Sequence, residues 1–353
     1  MEPVPVIKQP NLRPKRFSYG RLWNWFRLLI GLLGLGLVIY SVAREDALLD
    51  TFLSVDLWYI FIAFTLTIIA TIIKTWRWAL VLTYSQVQVT FQRLFGTYLV
   101  GTFFSQFMPG SSMGGDAMRM VEMSADSGRT LTSVSSVLVE RVIGLLTIIV
   151  SASAILILIP HDELTGTAAW WTLHILSVLG IIGLVILRMG WFVEPIANIM
   201  TTIKLGGVAR KITMLSQALR GQLGETSLLV KMVVLSFLAN AATMTAAYMA
   251  LLSLGKHASF FSFIPLIALT VAIEIIPISP GALGLREATY VAFFTSYLDI
   301  PQSVALATAL LVRGIGLALG VIGGVVFIAR TIDKTAEAKS PPTTSSSPPP
   351  VSL

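Results

Sequence analysis

The sequence predicts an all-α, polytopic integral membrane helical bundle, and three observations support this prediction. They are an apolar composition, long stretches without charge, and basic residues concentrated in alternate loops. Of the 353 residues, 55% are hydrophobic and only 12% are charged, and the mean hydropathy is +0.81. Soluble domains usually carry about 25% charged residues. This composition excludes a water-soluble globular fold and a disordered chain.

Apolar stretches approaching or exceeding about 20 residues predict about six full membrane crossings. The first stretch follows a basic segment and lacks a small-residue cleavage site, so we do not expect a cleaved signal peptide. The predicted crossings are Leu28–Ala43, Leu57–Ile73, Val142–Ile159, Leu164–Leu187, Met232–Gly255 and Ile300–Ala329, the last interrupted only by Arg313.

The distribution of Lys and Arg predicts the orientation of these crossings, because basic residues resist translocation. The segments 1–27, 74–93, 188–231 and 330–353 hold 18 basic residues, whereas the predicted outer loops hold two. Both termini are therefore predicted to be cytoplasmic, with the chain in a cell membrane (plasma or inner). The net charge of +7 is interpreted in the same way, and we do not expect a nucleic-acid partner.

Two further segments, Leu94–Phe107 and Ala258–Leu298, must each return to the side from which they enter. A single crossing by either segment would reverse every later loop and abolish the charge asymmetry. Two interpretations stay open. Each segment is either a re-entrant hairpin bent at Pro-Gly or a pair of ordinary spans, which would give eight or more helices. The dipeptides are Pro109-Gly110 and Pro280-Gly281.

Composition also predicts the domain boundaries. Residues 1–22 form a basic, disordered tail, residues 23–330 form the transmembrane domain, and residues 331–353 form a disordered tail rich in Pro, Ser and Thr. Within the domain, residues 188–231 are basic and have apolar residues at helical spacing. They are expected either to lie on the membrane surface near anionic lipid headgroups or to pack on the bundle as a cytoplasmic helical hairpin.

Charged residues inside the predicted spans are the first candidates for a site. A charge at the bilayer centre costs about 2.5–3.5 kcal/mol on insertion scales, so it needs a partner or a function. Sequence neighbours on a helix do not face each other, so Glu140 and Arg141 are expected to pair with other helices. The same holds for Arg286 and Glu287. Arg313 is expected to pair with Glu274 or Glu287, and a purely structural ion pair stays the alternative for each residue. Lys74 and Arg77, beside two tryptophans, are interpreted as interfacial anchors.

The two Pro-Gly segments share a further pattern, because each continues with glycine and then with a charged residue in the first turns of a helix. A helix start presents unpaired N–H groups that favour phosphate or carboxylate, and arginine adds charge-assisted contacts. Glycine also permits close helix packing, which is the alternative explanation. The candidate substrate-binding residues are Pro109, Gly110, Gly114, Gly115, Asp116, Arg119, Glu140, Arg141, Glu274, Ser279, Pro280, Gly281, Gly284, Arg286, Glu287 and Arg313.

At these motifs the chain resembles the transmembrane region of lysylphosphatidylglycerol synthases, also described as a flippase-like membrane domain. The resemblance covers approximately residues 20–330 and implies a polytopic protein that handles lipids. In the best-understood relatives this domain moves aminoacylated phospholipids between leaflets. Their soluble aminoacyl-transferase domain has no counterpart here, so we do not expect lipid aminoacylation. The matching segments are FFSQFMPGSSMGGDAMR (Phe103–Arg119), ERVIGL (Glu140–Leu145) and IPISPGALGLREA (Ile276–Ala288).

These observations favour a lipid transporter, or flippase-like protein, that moves a phospholipid or a lipid-linked headgroup between leaflets. The alternatives are a membrane-embedded lipid-modifying transferase, of glycosyl or aminoacyl type, and a scaffold for a separate lipid-modifying enzyme. The chain has no Cys, three His and no Asp-x-Asp or His-Glu-x-x-His motif, so neither a metal nor another cofactor is expected. The expected partners are a membrane lipid as substrate, anionic lipid headgroups and that separate enzyme.

Overall fold

The described part of the chain is entirely helical, which confirms the predicted fold class. A computed structural model describes Gly36, Tyr40 and residues 51–107, 112–158, 164–190, 206–275 and 279–339. Within these residues it has ten α-helices, one short 3-10 helix at Pro280–Ala282 and no strand. The α-helices are α1 Leu57–Tyr84, α2 Phe91–Phe107, α3 Ser112–Ser127, α4 Thr130–Leu158, α5 Ala168–Met189, α6 Gly206–Gly224, α7 Thr226–Leu252, α8 Phe260–Glu274, α9 Leu285–Leu298 and α10 Gln302–Lys339.

Five helices are long and apolar enough to cross a membrane, namely α1, α4, α5, α7 and the part of α10 at Gln302–Ile332. Each overlaps most of one predicted crossing, so the chain is a multi-pass membrane protein. The sixth predicted crossing, Leu28–Ala43, lies outside the described residues except for Gly36 and Tyr40. Large apolar side chains such as Ile175, Val178 and Ile182 are exposed on α5. Such a surface is stable in lipid but not in water.

Two pairs of short helices fold back on themselves. In the first hairpin (α2 and α3), Arg93 pairs with Asp126 while Gly101 lies against Gly115, so the helices run antiparallel. In the second hairpin (α8 and α9), the rings of Phe263 and Phe294 are 5.1 Å apart, and Glu274 reaches Arg286 near the turn. The expectation that each segment returns on itself is therefore met. Each of the four helices has 14–17 residues and is about 21–26 Å long, which is less than the hydrocarbon thickness of about 30 Å.

Helix α10 packs against both hairpins with different parts of its length. Its first half joins the apolar cluster of the second hairpin through Val304, Ala305 and Ala307. Its second half follows α2, with Gly323 against the carbonyl group of Leu99. A side chain at Gly323 would collide with that backbone, so glycine allows this close approach. The two hairpins therefore lie along successive halves of one helix.

The turn of the second hairpin is built on left-handed backbone. Gly281 has φ +57° and Gly284 has φ +77°, conformations that glycine adopts without steric cost. Gly284 precedes α9, and its N–H donates to Glu287 at 2.8 Å. Serine is favoured at the N-cap and proline at the first helical position, so the sequence predicts that the helix starts at Ser279 and Pro280. That expectation is wrong for α9, because Pro280 starts the 3-10 helix instead and Ser279 donates to the carbonyl group of Leu283 at 2.8 Å.

The tips of the two hairpins meet. The carbonyl oxygen of Gln106, at the end of α2, lies 3.5 Å from the position that a Cβ on Gly281 would occupy. The 3-10 helix of the second hairpin contacts both α2 and α3. Both tips therefore belong to one contact region inside the bundle. Pro109 and Gly110, at which the first bend is predicted, lie outside the described residues.

Two helix ends differ from the prediction. Helix α1 continues eleven residues beyond Ile73, and α4 begins twelve residues before Val142. Within the segment 74–93 only residues 85–90 form a loop, and the charges of Lys74, Arg77 and Glu140 lie within helices. A hydropathy profile places the end of a span at a charged residue. The helix itself continues past that residue if a residue on another helix pairs with the charge.

The basic segment 188–231 packs on the bundle. Helix α6 contacts α4, α5 and α7, and its Leu219 and Leu223 belong to an apolar cluster with Ile143. Arg188, at the end of α5, donates to the carbonyl group of Gly224 at 3.1 Å. Of the two interpretations left open by the sequence, the described part of this segment agrees with packing. Residues 191–205 lie outside the described residues.

Candidate functional site

A polar cavity of about 310 Å³ lies inside the bundle, between the first hairpin, the turn of the second hairpin and helices α1, α4 and α7. Five helices contribute charged side chains to its wall. Charges kept inside a membrane bundle usually pair with one another or mark a substrate pathway. The eight charged residues are Lys74, Arg77, Asp116, Arg119, Glu140, Arg141, Glu274 and Arg286.

Glu140 is a buried carboxylate that is shared by two arginines. It is 2% exposed, and it accepts hydrogen bonds from Arg77 on α1 and from Arg119 on α3, the latter at 2.5 Å. The Tyr98 hydroxyl group on α2 donates to it at 3.3 Å. One carboxylate therefore connects four helices. Because it balances only one of the two guanidinium charges, this cluster keeps a positive charge.

Aromatic rings hold Arg119 in place. Its guanidinium carbon lies 4.3 Å from the ring centroid of Trp78 and 4.1 Å from that of Tyr98. Such cation–π contacts contribute up to about 2 kcal/mol when they are shielded from water. The Trp78 indole N–H donates to Ser136 at 3.1 Å, which fixes the ring. The predicted site residue Arg119 is therefore a rigid part of the cavity wall.

Close packing of α2 on α3 brings Arg119 to this position. A Cβ on Gly115 would collide with the carbonyl oxygen of Gly101 and with the hydroxyl group of Ser105. A Cβ on Gly101 would lie 2.9 Å from the Arg119 side chain. Both glycines line the cavity, but their contacts agree with the packing explanation for glycine in these segments.

Asp116 links the first hairpin to α4. It accepts from Arg141 at 3.0 Å and from Arg119 at 3.4 Å. The side chain of Arg141 is 40% exposed, which is the largest exposure among the paired arginines of the cavity. The prediction that Glu140 and Arg141 pair with other helices is confirmed, because each reaches a residue on α1 or α3.

The second hairpin contributes two further ion pairs. Arg286 binds Glu274 through two hydrogen bonds of 2.6 and 2.8 Å, and this pair lines the cavity. Arg313 on α10 binds Glu287 at 2.5 and 3.1 Å, which confirms one of its two predicted partners. Arg313 also donates to the carbonyl groups of Gly281 and Ala282, so it holds the turn against α10.

The structure thus gathers half of the predicted site residues at one cavity. Ser279, Glu287 and Arg313 are buried behind the turn of the second hairpin, outside the cavity wall. Gly114, Pro280 and Gly284 are described but are also not part of the wall. The predicted residues in the wall are Gly115, Asp116, Arg119, Glu140, Arg141, Glu274, Gly281 and Arg286.

Lys74 and Arg77 are site residues that the sequence analysis assigned to a different role. Their interpretation as interfacial anchors is wrong, because Arg77 is 4% exposed and both line the cavity. Of residues 74–78, Trp76 alone is exposed. Lys74 donates to the Thr243 hydroxyl group at 3.3 Å. Their spacing of three residues within a long apolar segment, which puts both on one helix face, was the available signal.

Neutral polar residues complete the wall, and the sequence analysis did not identify them. Gln106 lies at the tip of the first hairpin. Asn240 on α7 donates to the carbonyl group of Gly144 at 3.1 Å. Neither residue carries a charge. Gln106 lies within the matching segment Phe103–Arg119 but was not selected as a site residue, and Asn240 belongs to no motif.

An apolar cavity of about 490 Å³ adjoins the polar one. It lies between α4, α5, α8 and α9, and its wall includes Ile149, Leu176 and Phe293. Leu145 and Ile275 belong to the walls of both cavities. The polar cavity and the apolar cavity therefore lie side by side and share part of their walls.

Two comparisons with known proteins cover this region. The family model described as "Lysylphosphatidylglycerol synthase TM region" matches residues 24–324. A UPF0104 membrane protein of Pyrococcus horikoshii is 21% identical over 329 residues, which cover 86% of this chain and 96% of the relative. The family match includes every residue that lines the two cavities.

Proposed function

The chain belongs to the family described as the lysylphosphatidylglycerol synthase TM region, and from this premise we propose that it moves a lipid between leaflets. The observation that carries the proposal is the pair of adjoining cavities. A lipid consists of an ionised headgroup and apolar chains. The headgroup is stable in a polar environment, and the chains are stable in an apolar one. The polar cavity suits the headgroup, and the apolar cavity beside it suits a chain.

The ion pairs of the polar cavity favour transport over catalysis. Its three carboxylates, Asp116, Glu140 and Glu274, are each bound to arginine. Each of these carboxylates would have to leave its arginine partner before it could exchange a proton with a lipid as a general acid or base. The separate lipid-modifying enzyme stays a prediction.

Re-entrant hairpins would give this cavity access from either leaflet. The hairpin tips contact α10 near Arg313 and Gly316, close to residue 317, the midpoint of its apolar segment Gln302–Ile332. If α10 crosses the bilayer, both tips lie near the midplane, and the hairpins enter from opposite sides. Half-helices that meet at the midplane are typical of transporters. The substrate would then pass the contact between the tips.

We also propose a cell-membrane location with both termini in the cytoplasm. Moving Lys74 and Arg77 from a loop into α1 still leaves sixteen basic residues on the proposed cytoplasmic side and two on the other. The positive-inside asymmetry is therefore preserved.

A lipid-translocation assay tests the function. Purified protein is reconstituted into vesicles with a fluorescent phospholipid, and the fraction quenched from outside is followed with time. We expect faster exchange than in protein-free vesicles, and we expect Glu274→Gln/Arg286→Gln to abolish the increase while keeping the net charge. Arg93→Gln/Asp126→Asn removes a matched ion pair outside the cavity and is expected to leave exchange unchanged. Equal exchange in the wild type and in protein-free vesicles, across several lipids, would reject the proposal.

Cysteine labelling tests the topology, because the chain has no native cysteine. Single variants Gln106→Cys, at a hairpin tip, and Ser127→Cys, at the open end of the first hairpin, are treated with a membrane-impermeant maleimide in sealed vesicles. We expect rapid labelling at 127 from one side and slow labelling at 106 from both sides. Rapid labelling at 106 from one side only would place the tip at the surface and reject the re-entrant arrangement.

A further inference from the structure

The polar cavity has more positive than negative charge. Five basic and three acidic side chains line it. Arg77, Glu140, Arg119, Asp116 and Arg141 form one continuous network, which has one positive charge in excess. Glu274 and Arg286 balance each other. Lys74 accounts for the second excess charge.

Lys74 differs from the arginines of the cavity in its surroundings. Among the described residues, its ammonium group has a hydroxyl partner, Thr243 at 3.3 Å, but no carboxylate at ion-pair distance. It lies one helical turn before Arg77, whose charge is already shared with Glu140. An ammonium group held inside an apolar bundle is unfavourable unless an anion accompanies it. The part of the chain that the structure describes supplies no such anion at this position.

Because these charges are fixed by the fold, we propose that the cavity selects lipids whose headgroup is a phosphate with net negative charge, and that Lys74 determines this selectivity. This inference rests on the proposed lipid function. The phosphate would lie between Lys74 and Arg141, which is the most exposed of the paired arginines. A cationic aminoacylated headgroup would add positive charge beside Lys74, and a zwitterionic headgroup would leave the excess uncompensated. Selectivity would thus come from repulsion as well as from attraction.

The size of the cavity supports a compact headgroup. Ligand cavities in proteins range from about 300 to 1,000 Å³, and this one lies at the lower end. A glycerophosphate group suits such a volume better than an oligosaccharide does. The chains would extend past Leu145 and Ile275 into the apolar cavity.

Binding measurements on the purified full chain test the selectivity without requiring transport. Short-chain phosphatidylglycerol, phosphatidylcholine, lysylphosphatidylglycerol and inorganic phosphate are titrated separately, with intrinsic tryptophan fluorescence or native mass spectrometry as the readout. We expect phosphatidylglycerol to bind about tenfold more tightly than either other lipid, since a charge-assisted hydrogen bond contributes about this much. Inorganic phosphate is expected to bind more weakly than phosphatidylglycerol, because it lacks chains for the apolar cavity.

Three variants separate the charge of Lys74 from its packing. Lys74→Met is expected to reduce phosphatidylglycerol binding about tenfold and to change phosphatidylcholine binding less than twofold, whereas Lys74→Arg keeps the preference. Lys231→Met removes an exposed lysine of α7, outside the cavity, and is the matched control with no expected change.

The outcomes distinguish this inference from the proposed function. A preference for lysylphosphatidylglycerol, or an unchanged preference in a folded Lys74→Met protein, would overturn the inference even if lipid is translocated. Inorganic phosphate binding as tight as that of the lipid would overturn the assignment of a lipid headgroup. Lys74-dependent binding of phosphatidylglycerol without translocation would support the inference and reject the proposed function.

Discussion

The two hairpins have the same Pro-Gly pattern but different electrostatic connections. In the first hairpin, Arg119 and Asp116 form ion pairs with Glu140 and Arg141, which lie on α4. The second hairpin pairs Glu274 with Arg286 within itself. Within the cavity wall, the ion pairs of the first hairpin therefore join it to spanning helices, whereas that of the second hairpin closes its own turn. Outside the wall, Glu287 connects the second hairpin to Arg313 on α10. Similar motifs in the sequence do not imply equivalent roles in the site.

The hairpins also differ in where α10 holds them. Arg330 binds the first hairpin at its open end, through Glu122 at 3.2 Å and the carbonyl group of Arg93 at 3.1 Å. Arg313 binds the second hairpin at its turn, through Gly281 and Ala282. The tip of the first hairpin is held instead by packing of Gln106 against Gly316 and Gly320. Polar bonds to α10 therefore hold the turn of the second hairpin, whereas the described end of the first hairpin contacts α10 by packing.

The largest expected effect is the loss of Glu140. Glu140→Gln leaves Arg77 and Arg119 in a buried site without their shared carboxylate, and breaking a buried ion pair typically costs about 3–5 kcal/mol. Glu274→Gln is expected to cost less, because its side chain and that of Arg286 are 18% and 16% exposed. Thermal unfolding of both proteins in one detergent measures the difference.

The order of the two melting temperatures decides whether the first hairpin depends on the network. If Glu274→Gln melts below Glu140→Gln, the second hairpin is the more dependent on charge, and the comparison is reversed. Gln at either position keeps the size of the side chain, so a packing defect does not explain the result.

The next effect concerns Arg313. Arg313→Met leaves Glu287 uncompensated at 0% exposure and releases the turn, at a cost of about 3 kcal/mol or slightly more. Adding Glu287→Met should recover part of this stability, because the uncompensated charge is then removed. Unfolding of both single variants and of the double variant forms the required cycle. A double variant as unstable as the sum of the single variants would show that Arg313 acts through the turn carbonyl groups alone.

Hydropathy and charge parity predicted the architecture because they depend on average composition. We could predict the crossings from α1 to α10, and the return of both hairpins, without knowing which residues pair with one another. The ends of α1 and α4 were wrong because they depend on pairing. Arg77 and Glu140 are 63 residues apart in sequence, and nothing in the local pattern relates them.

The candidate site was partly predictable for the same reason. Buried acids and arginines such as Asp116, Glu140 and Arg286 are conspicuous in an apolar sequence, and the structure places them in one cavity. Lys74 was missed because its position, next to Trp76, also fits an interface anchor. The apolar cavity was not predicted at all, since residues that line a chamber and residues that face lipid have the same composition.

The smallest expected losses of stability come from substituting the glycines. They test the difference between the hairpins, because each hairpin needs glycine for a different reason. Gly115→Ala places a Cβ against the carbonyl oxygen of Gly101, and such overpacking costs about 1–3 kcal/mol. Gly281→Ala has room, since the nearest atom would be 3.5 Å away, but its φ of +57° costs other residues about 1–2 kcal/mol.

Asparagine distinguishes the two causes, because it adopts left-handed backbone more readily than alanine but is larger. Gly281→Asn should therefore be more stable than Gly281→Ala, whereas Gly115→Asn should be less stable than Gly115→Ala. Gly314→Ala on α10, where a Cβ meets nothing within 4 Å, is the control and should unfold like the wild type. Denaturation midpoints of the five variants measure the pattern. The same order at both positions would mean that the glycines serve one purpose, and the two hairpins would then be more alike than their ion pairs indicate.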